Sequence, residues 1–329
     1  MSYQPPFTLT SEIVSLVADI AEKIGRLSAK PDFDMSLRLR RINRVRTITG
    51  SLAIEGNTLT EAQITAILDG KMVLAPPREV QEARNALVVY ERLSEWNGLK
   101  EADLLAAHQQ LMLGLLDYPG AYRQGGVGVM AGDKVLHMAP PASRVPVLMT
   151  QLFDWLRTSR EHPLIASSIF HYEFEFTHPF EDGNGRMGRL WQTLLLSRWQ
   201  PAFAWLPVES LVHQQQAAYY KALSDSTAAT DCAPFIRFML GCIHEAVSRV
   251  VERTETPLEM LVETLVKKLK TPERILLLLH KQPELTLAEV AQAIGLSLSA
   301  VERAAMKLQQ EGKLRHHGSK KKGTWEVTK

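Results

Sequence analysis

The sequence predicts a mainly α-helical protein with one small β-hairpin and a C-terminal winged helix-turn-helix domain. Three observations lead to this fold class. Apolar residues recur at helical spacing along most of the chain, for example over residues 10–27. Residues 127–137 alternate on both sides of a Gly-Asp turn, which is typical of a hairpin. Residues 272–329 contain three short helical patterns and two strand-like segments, in the order found in a winged helix.

The composition is that of an ordinary globular protein. The 329 residues are 45% hydrophobic and 22% charged, which suits two or three domains. No apolar run approaches the roughly 18–20 residues that a membrane-spanning helix needs, and the first residues show no signal-peptide pattern. Cys232 and Cys242 allow at most one disulfide, and we expect two buried thiols in a reducing compartment. We therefore expect a cytoplasmic protein with no membrane partner.

The periodicity divides the chain into four predicted regions. They are an N-terminal helical region at 1–100, a core at 101–255, a helical linker at 256–271 and the winged helix-turn-helix at 272–329. Thr60 and Gln63 have the spacing of a capping box and predict the start of one helix. Further helices are predicted at 10–27, 104–116, 145–156, 163–177, 186–198 and 209–223.

The most informative stretch connects two predicted helices and reads His-Pro-Phe-Glu-Asp-Gly-Asn-Gly-Arg-Met-Gly-Arg over residues 178–189. Gly183 and Gly185 allow positive φ around Asn184, so that backbone N–H groups can point into one concavity at the start of the second helix. Free N–H groups and the helix dipole favour an anion there.

The charged side chains of this stretch suit the phosphates of a nucleotide. Arg186 and Arg189 are three residues apart on one helix face, and the planar guanidinium fork fits phosphate oxygens. Asp182 only accepts hydrogen bonds at neutral pH, so beside phosphates it is better suited to binding Mg²⁺. His178, with an ordinary pKa of roughly 6.5, can accept a proton near neutral pH. A polar helix–helix loop with solvated arginines is the alternative interpretation.

A second constellation overlaps this stretch. His171, Glu175 and His178 are spaced four and three residues apart on one helix face, which is a possible metal-binding arrangement. One helix supplies only three ligands, and no nearby cysteine or other histidine clearly completes the set. We therefore favour His171 as a helix histidine with a polar neighbour.

The stretch resembles the signature of the Fic family, H-P-F-x-[D/E]-G-N-G-R-x-x-R, and matches every defined position. The resemblance implies a Fic-type helical bundle that transfers AMP from Mg²⁺-ATP to a Ser, Thr or Tyr hydroxyl of a protein. It also implies roles for the residues. His178 is the general base and Asp182 the Mg²⁺ ligand, while the ATP phosphates are bound by Gly183, Asn184, Gly185, Arg186 and Arg189.

The family resemblance extends to the predicted hairpin. Gly120-Ala-Tyr-Arg123 precedes it, and in Fic proteins a hairpin at this place, the flap, lies over the active site and is thought to align the target segment by strand addition. Tyr219 and Tyr220 either border an adenine pocket or belong to the core, and we favour the core.

An upstream segment resembles the family's inhibitory motif, [S/T]-x-x-x-E-[G/N]. It comprises Ser51, Glu55 and Gly56. The resemblance implies that Glu55 pairs with Arg189 and withdraws it from the ATP γ-phosphate, so that ATP binds without reacting. Because the motif is tethered, a modest interaction suffices, since intramolecular effective concentrations reach roughly millimolar.

The C-terminal region is basic. From Thr271 onward the chain has ten Lys and Arg against six Asp and Glu, a net charge of +4, while the remainder has 28 against 30, a net of −2. A basic wing around Lys320, Lys321 and Lys322 suits DNA phosphates. The predicted recognition helix offers few base-reading side chains, so protein docking or dimerisation is the favoured alternative.

Two functional hypotheses follow. The leading one is a protein adenylyltransferase acting on another protein or on itself, and a transferase of another nucleotide is a variant of it. The second is a DNA-binding regulator whose Fic-like domain senses nucleotide. Homodimerisation that stabilises the inhibitory contact is compatible with both.

Overall fold

A computed structural model describes residues 3–28, 37–131, 134–255, 270–283, 285–317 and 324–328. The chain forms two compact units, residues 1–251 and 252–329. Three predictions fall on residues outside the described ranges: the Gly132-Asp133 turn of the hairpin, most of the linker and the lysine-rich tip of the wing.

The first unit is predominantly helical, as predicted. Its helices are α1 (Ser11–Ser28), α2 (Leu37–Ile54), α3 (Glu61–Leu68), α4 (Pro77–Glu91), α5 (Glu101–Leu111), α6 (Val145–Thr158), α7 (Pro163–Thr177), α8 (Asn184–Trp199), α9 (Val208–Gln214), α10 (Gln216–Ala229) and α11 (Ala233–Glu255). The capping box of Thr60 and Gln63 is present at the start of α3, as predicted.

Two helix predictions were wrong in extent. Helix α5 ends at Leu111 rather than residue 116, because the chain turns over the next residues and Gly114 takes a left-handed φ of 71°. The helix predicted at 209–223 is two helices, α9 and α10, interrupted at Gln215, whose φ is −113° and ψ 31°. Gln216 then donates from Nε2 to the carbonyl of Ile54 at 2.7 Å, which fixes the start of α10 to the end of α2.

The predicted hairpin consists of β1 (Gly128–Ala131) and β2 (Lys134–Met138). The strands are antiparallel, with Gly128 opposite Met138 and an irregular step between Val129 and Met130. Such a step bends and twists a short strand.

The core of the first unit is centred on α7. Nearly every side chain of this helix is buried, so its apolar residues are not confined to one stripe. The buried side chains include polar ones, among them Ser167, Ser168, His171, Glu173 and Glu175. Helix α8 packs along it, and the fully buried indole of Trp191 donates from its ring nitrogen to the Gly98 carbonyl at 3.0 Å. Cys232 and Cys242 are buried free thiols, as expected. Across the described residues, none of the helices combines the length and apolar character that a membrane span requires.

The second unit has the predicted winged-helix order. It comprises α12 (Thr271–Lys281), α13 (Leu287–Ile294), α14 (Leu298–Gln310), β3 (Leu314–His317) and β4 (Thr324–Val327). The two strands are antiparallel, and Gly295 turns between α13 and α14 with a φ of 67°. Its separate core is formed by side chains that are buried as the periodicity predicts, among them Ile275, Leu279, Val290, Val301 and Leu308.

Candidate active site

His178 ends α7 in the left-handed conformation, with φ 47° and ψ 61°, and its backbone N–H donates to the Phe174 carbonyl at 2.9 Å. Left-handed backbone is uncommon outside glycine, although histidine tolerates it better than most residues. The imidazole is 20% exposed, and Nδ1 is buried 3.9 Å from a Glu175 carboxylate oxygen. Nδ1 is therefore the ring nitrogen that faces the protein interior.

Arg123 fixes the backbone around His178. Its Nε donates to the His178 carbonyl at 2.7 Å and its Nη2 to the Thr177 carbonyl at 3.3 Å. The same guanidinium donates to the carbonyls of Gly125 at 2.7 Å and Pro140 at 2.5 Å, which lie on either side of the β1–β2 hairpin. One buried arginine thus holds both ends of the hairpin against the loop that carries His178.

The loop after His178 is held in place by two further side chains. Phe180 stacks on the His108 ring with centroids 3.6 Å apart. Gly120 donates its N–H to Nδ1 of His108, so Nε2 carries the proton and donates to the Asp182 carbonyl at 3.0 Å. Asn184 bonds both backbone groups of Phe180 through its side-chain amide, each at 2.9 Å. That amide therefore stabilises the loop, and the backbone N–H of Asn184 lies at the start of α8.

The two glycines of the loop serve different purposes. Gly183 has a φ of 83° and directly precedes α8, as the sequence predicted. Gly185 lies within α8 and has no positive φ, which corrects the expectation for this residue. Its missing side chain instead makes room, because a Cβ there would come 2.2 Å from Oε1 of Glu55 and 3.0 Å from Nη1 of Arg189. A carboxylate oxygen therefore lies directly against the first turn of α8.

Asp182 and Arg186 belong to a charged cluster at the start of α8. Arg186 is buried and donates from Nη2 to Asp182 at 2.9 Å, with Glu82 of α4 at 3.4 Å from Nη1. Arg78, also on α4, reaches the other Asp182 oxygen at 2.9 Å. Two arginines and two carboxylates thus neutralise one another at the mouth of the loop.

Arg189 points from α8 to the end of α2. Its Nη2 donates to a Glu55 oxygen at 2.7 Å and to the Ser51 carbonyl at 2.9 Å, and its Nε donates to the Ser51 hydroxyl at 3.2 Å. Gly56 follows with a φ of 88° just after α2 ends. Burial by itself lowers the pKa of Arg189, but Glu55 and Tyr219 outweigh it and raise that pKa above its usual value.

The interior beside His178 and Arg189 is polar. Burial lowers the pKa of His171 to about 3, and this neutral ring lies between Gln192 at 2.7 Å and the Tyr219 hydroxyl at 3.2 Å. Burial raises the pKa of Glu175 to about 8. Tyr219 is buried in the core, as favoured, while Tyr220 is partly exposed.

A metal ion bound by protein side chains alone does not fit this site. Among the described residues, no group of three or more His, Cys, Asp and Glu side chains is arranged to hold one. His171, Glu175 and His178 lie together, but the hydrogen bonds of His171 to Gln192 and Tyr219 use both of its ring nitrogens. Mg²⁺ commonly takes only one or two carboxylates and completes its ligands from substrate phosphates. The single carboxylate of Asp182 fits that pattern, provided that Arg78 and Arg186 release it.

The structure brings together the residues predicted from the sequence and adds four that were missed. The missed residues are Arg78, Glu82, His108 and Arg123. Arg123 carried a usable signal, since it closes the Gly-Ala-Tyr-Arg segment before the hairpin. His108 and the two α4 residues carried none, because only the tertiary fold places them beside the loop.

The chain matches two protein-family models. Residues 98–196 match the Fic/DOC family, and residues 269–315 match a family described as winged helix-turn-helix DNA-binding. The first match ends within α8, and it spans the hairpin, the loop of His178 and both signature arginines.

Curated relatives match over most of this chain but only about half of their own length. A protein named "Protein adenylyltransferase Fic" from Drosophila willistoni is 29% identical over 264 residues, which is 75% of this chain and 50% of the relative. A protein of the same name from Nematostella vectensis is 29% identical over 62% of this chain and 48% of the relative.

Solved structures share the fold. Fic-1 from C. elegans has a TM-score of 0.62 at 23% identity, covering 74% of this chain and 73% of that one. A Fic family protein from Desulfovibrio desulfuricans G20 has a TM-score of 0.76 at 45% identity, covering 99% of this chain and 98% of that one. This identity extends through both compact units, and the chain belongs to the Fic family.

Proposed function

We propose that the chain is a protein adenylyltransferase that moves AMP from ATP to a Ser, Thr or Tyr hydroxyl, on another protein or on itself. The curated relatives that bear the name adenylyltransferase support this proposal. We further propose that the described arrangement is the inhibited state of the enzyme.

One observation carries both parts of the proposal. The Glu55 carboxylate lies against the first turn of α8 and pairs with Arg189. A helix N-terminus with free N–H groups and an arginine is a favourable place for an anion. The chain's own carboxylate thus occupies a position suited to a phosphate oxygen, and ATP has to displace it to use Arg189.

The reaction requires a base, a held phosphate chain and a leaving group. The target hydroxyl loses its proton to Nε2 of His178 while its oxygen forms a bond to the α-phosphorus of ATP. The bond from that phosphorus to the bridging oxygen breaks, and pyrophosphate leaves. The backbone of Gly183, Asn184 and Gly185 orients phosphate oxygens, and Arg186 and Arg189 compensate their charge.

Asp182 is the residue that would hold Mg²⁺. The ion would supply positive charge that withdraws electrons from the phosphates. In the described state Asp182 bonds Arg78 and Arg186. When nucleotide binds, the phosphates replace Asp182 as partners of these guanidinium groups, and Asp182 becomes available to the ion.

The hairpin is proposed to hold the target segment. Arg123 fixes both of its ends relative to His178, so that a strand added to its edge would be aligned with the base. Main-chain hydrogen bonds would then provide the alignment, with little demand on the target's side chains.

The test is intact-protein mass spectrometry of Glu55→Gly incubated with Mg²⁺ and ATP, beside wild type and Glu55→Gly/His178→Ala. We expect a mass gain of one adenylyl group in the single variant, little in wild type and none in the double variant. Loss of a general base typically costs about 10²–10⁴ in rate. A mass gain in the double variant equal to that of the single variant would refute the role of His178.

The C-terminal unit supports a second candidate, a DNA-binding regulator that senses nucleotide through its Fic domain. Its match to a DNA-binding winged-helix family and the exposed Arg303 and Lys307 of α14 favour it. A sequence-specific duplex shift that persists in His178→Ala, without adenylyl transfer by Glu55→Gly, would favour the regulator. Replacing ATP by other nucleoside triphosphates in the same assay tests transfer of another nucleotide.

A homodimer that stabilises the Glu55 contact is part of the proposal. Wild type and Glu55→Gly are compared by light scattering over a range of concentrations. Transfer by wild type that rises on dilution would support this role, and transfer independent of concentration would oppose it.

A further inference from the structure

Glu175 is a buried carboxyl group to which the proposed reaction assigns no role. It lies in the last turn of α7, three residues before His178, and only 6% of its side chain is exposed. Oε2 lies 3.9 Å from Nδ1 of His178, and Oε1 lies 3.8 Å from Nε2 of His171. An isolated buried carboxyl group is costly, so its presence here calls for an explanation.

His171 offers Glu175 no proton. Its Nδ1 lies 2.7 Å from Oε1 of Gln192, and Nε2 of the same Gln192 donates to Ser168, so Oε1 is the acceptor and His171 Nδ1 carries the ring proton. His171 Nε2 then accepts from the Tyr219 hydroxyl. Of the two imidazoles that face Glu175, His178 is the one able to donate to it.

Helix α8, which packs against α7, leaves space for the Glu175 side chain. Gly188 of α8 faces it, and a Cβ there would come 2.9 Å from Oε1 of Glu175 and 2.7 Å from Cδ2 of His171. Gly188 falls at a variable position of the signature, so the signature itself does not require this glycine. The missing side chain makes the space that this carboxyl group fills.

We propose that Glu175 is the positioning residue of the base: it accepts the Nδ1 proton of His178, so that Nε2 is the nitrogen that takes the proton of the target hydroxyl, and it stabilises the imidazolium that results. The proposal rests on the proposed function for its catalytic consequence, but the pairing itself does not. Glu175 Oε2 and His178 Nδ1 have to approach each other by about 1 Å to reach hydrogen-bond length. Hydrogen bonds in catalytic sites commonly tighten in this way only when substrate is bound.

The inhibitory pair of Glu55 and Arg189 acts on the same carboxyl group. Burial raises the pKa of Glu175, Arg189 opposes this, and Glu55 adds to it. The other groups that face it are His171, His178 and the hydroxyls of Tyr219 and Tyr220. Withdrawal of Glu55 therefore favours the ionised carboxylate, the form that accepts a proton from Nδ1. Withdrawal of Glu55 from Arg189 is thereby coupled to ionisation of the carboxyl group that positions His178.

The first measurement is independent of catalysis. Histidine side-chain NMR follows the titration of His178 in full-length Glu55→Gly and in Glu55→Gly/Glu175→Gln, with His178→Ala used for assignment. Removing the carboxylate charge makes the imidazolium harder to form, so we expect the pKa of His178 to fall by about one pH unit or more. An unchanged titration of His178 would overturn the pairing.

The second measurement uses adenylyl transfer by the same variants. Glu175→Gln is expected to lower kcat about tenfold to hundredfold, within the range of a general base, with KM for ATP unchanged. The acid limb of the kcat profile should move to lower pH, as the NMR titration does. A fall in kcat without movement of that limb would assign Glu175 a merely structural role and overturn the proposal.

Glu173→Gln is the matched control. Glu173 is a buried glutamate of the same helix, but its partners are Tyr3 and Cys232, away from His178. We expect this variant to leave the His178 titration and the kcat profile unchanged. If Glu175→Gln does not fold, Glu175→Asp takes its place, with a smaller change in the same direction expected. If Glu55→Gly transfers no adenylyl group while the titration shifts, the proposed function fails and the pairing stands.

Discussion

Arg189 and Glu55 form a 2.7 Å ion pair in which the two partners are unequally buried. The arginine side chain is 1% exposed and the glutamate side chain 34% exposed. The arginine is also held by two hydrogen bonds to Ser51, whereas the bond from Arg189 is the one hydrogen bond described for the Glu55 carboxylate. The glutamate is therefore the partner that can leave while the arginine stays in place.

The first prediction follows from this inequality. Glu55→Gly leaves Arg189 bonded to Ser51 and free to bind phosphate, so adenylyl transfer should rise well above wild type. Glu55→Asp keeps the charge on a shorter side chain and should give a smaller rise. The measurement is the initial rate of adenylyl incorporation with saturating ATP. Equal rates in Glu55→Gly and wild type would refute inhibition by Glu55.

The second prediction concerns a substitution that weakens the contact of Glu55 with Arg189 without changing the Glu55 carboxylate. Gly50 lies in α2 five residues before Glu55, and a Cβ there would come 2.7 Å from the Ser210 nitrogen and 2.8 Å from the Glu209 carbonyl. These are backbone atoms, so Gly50→Ala has to push α2 away from α9, at a cost of about 1–3 kcal/mol. We expect a lower Tm and higher adenylyl transfer than wild type.

Gly25→Ala is the control for this substitution. Gly25 lies in α1, and nothing stands within 4 Å of the Cβ it would carry. Replacing a helical glycine by alanine stabilises by about 1 kcal/mol. Its Tm should rise and its transfer activity should match wild type. A Gly50→Ala protein with reduced Tm and wild-type activity would mean that α2 docking does not control the site.

The elements that the sequence predicts well are those set by local periodicity. Helix α7 has the predicted bounds, because the apolar spacing and the turn residues at its ends determine them. The break at Gln215 was missed, since neither proline nor glycine marks it. It coincides with a tertiary bond from Gln216 to the end of α2, which no local pattern contains.

In the site, too, local features are predicted from the sequence and tertiary contacts are not. The signature predicts which side chains gather at the start of α8, but the positive φ expected at Gly185 was wrong. The structure assigns its importance to a close approach by Glu55, a residue 130 positions earlier in the chain. Contacts of that range depend on the packing of α2 against α8 and α9, which sequence spacing does not encode.

The third prediction concerns Arg123, which the sequence did not single out for a role. Four backbone carbonyls accept from its guanidinium. Arg123→Lys keeps the charge but lacks the planar fork, so several of these carbonyls lose their donor. Because each unsatisfied buried group costs about 1–3 kcal/mol, we expect a lower Tm and loss of transfer in the Glu55→Gly background.

Arg157→Lys provides the comparison for Arg123→Lys. Arg157 bonds the Leu99 carbonyl and Asp154, and its side chain is 44% exposed. Exposed pairs contribute about 0–1 kcal/mol, so Tm and transfer should stay near those of the parent. If Arg123→Lys behaves like this control, the hairpin is not anchored through Arg123.

The fourth prediction is a pH dependence of stability caused by Glu175. Burial raises the pKa of its carboxyl group to about 8, Arg189 opposes this and Glu55 adds to it. Below the ordinary carboxyl pKa, the folded and unfolded chains both hold this proton. Between that value and about 8, the unfolded chain loses it and the folded chain keeps it. Stability contributed by this group therefore falls as pH rises, by at most about 1.4 kcal/mol per pH unit.

Glu175→Gln removes the titration of this carboxyl group. The low pKa values of His171 and His108 give stability an opposite slope at acid pH, but wild type and variant share them and they cancel in the difference. The free energy of unfolding, measured in urea at about pH 5 and about pH 8, should shift in favour of the variant as pH rises. A difference between wild type and variant that is independent of pH would show that Glu175 does not keep its proton in the folded protein.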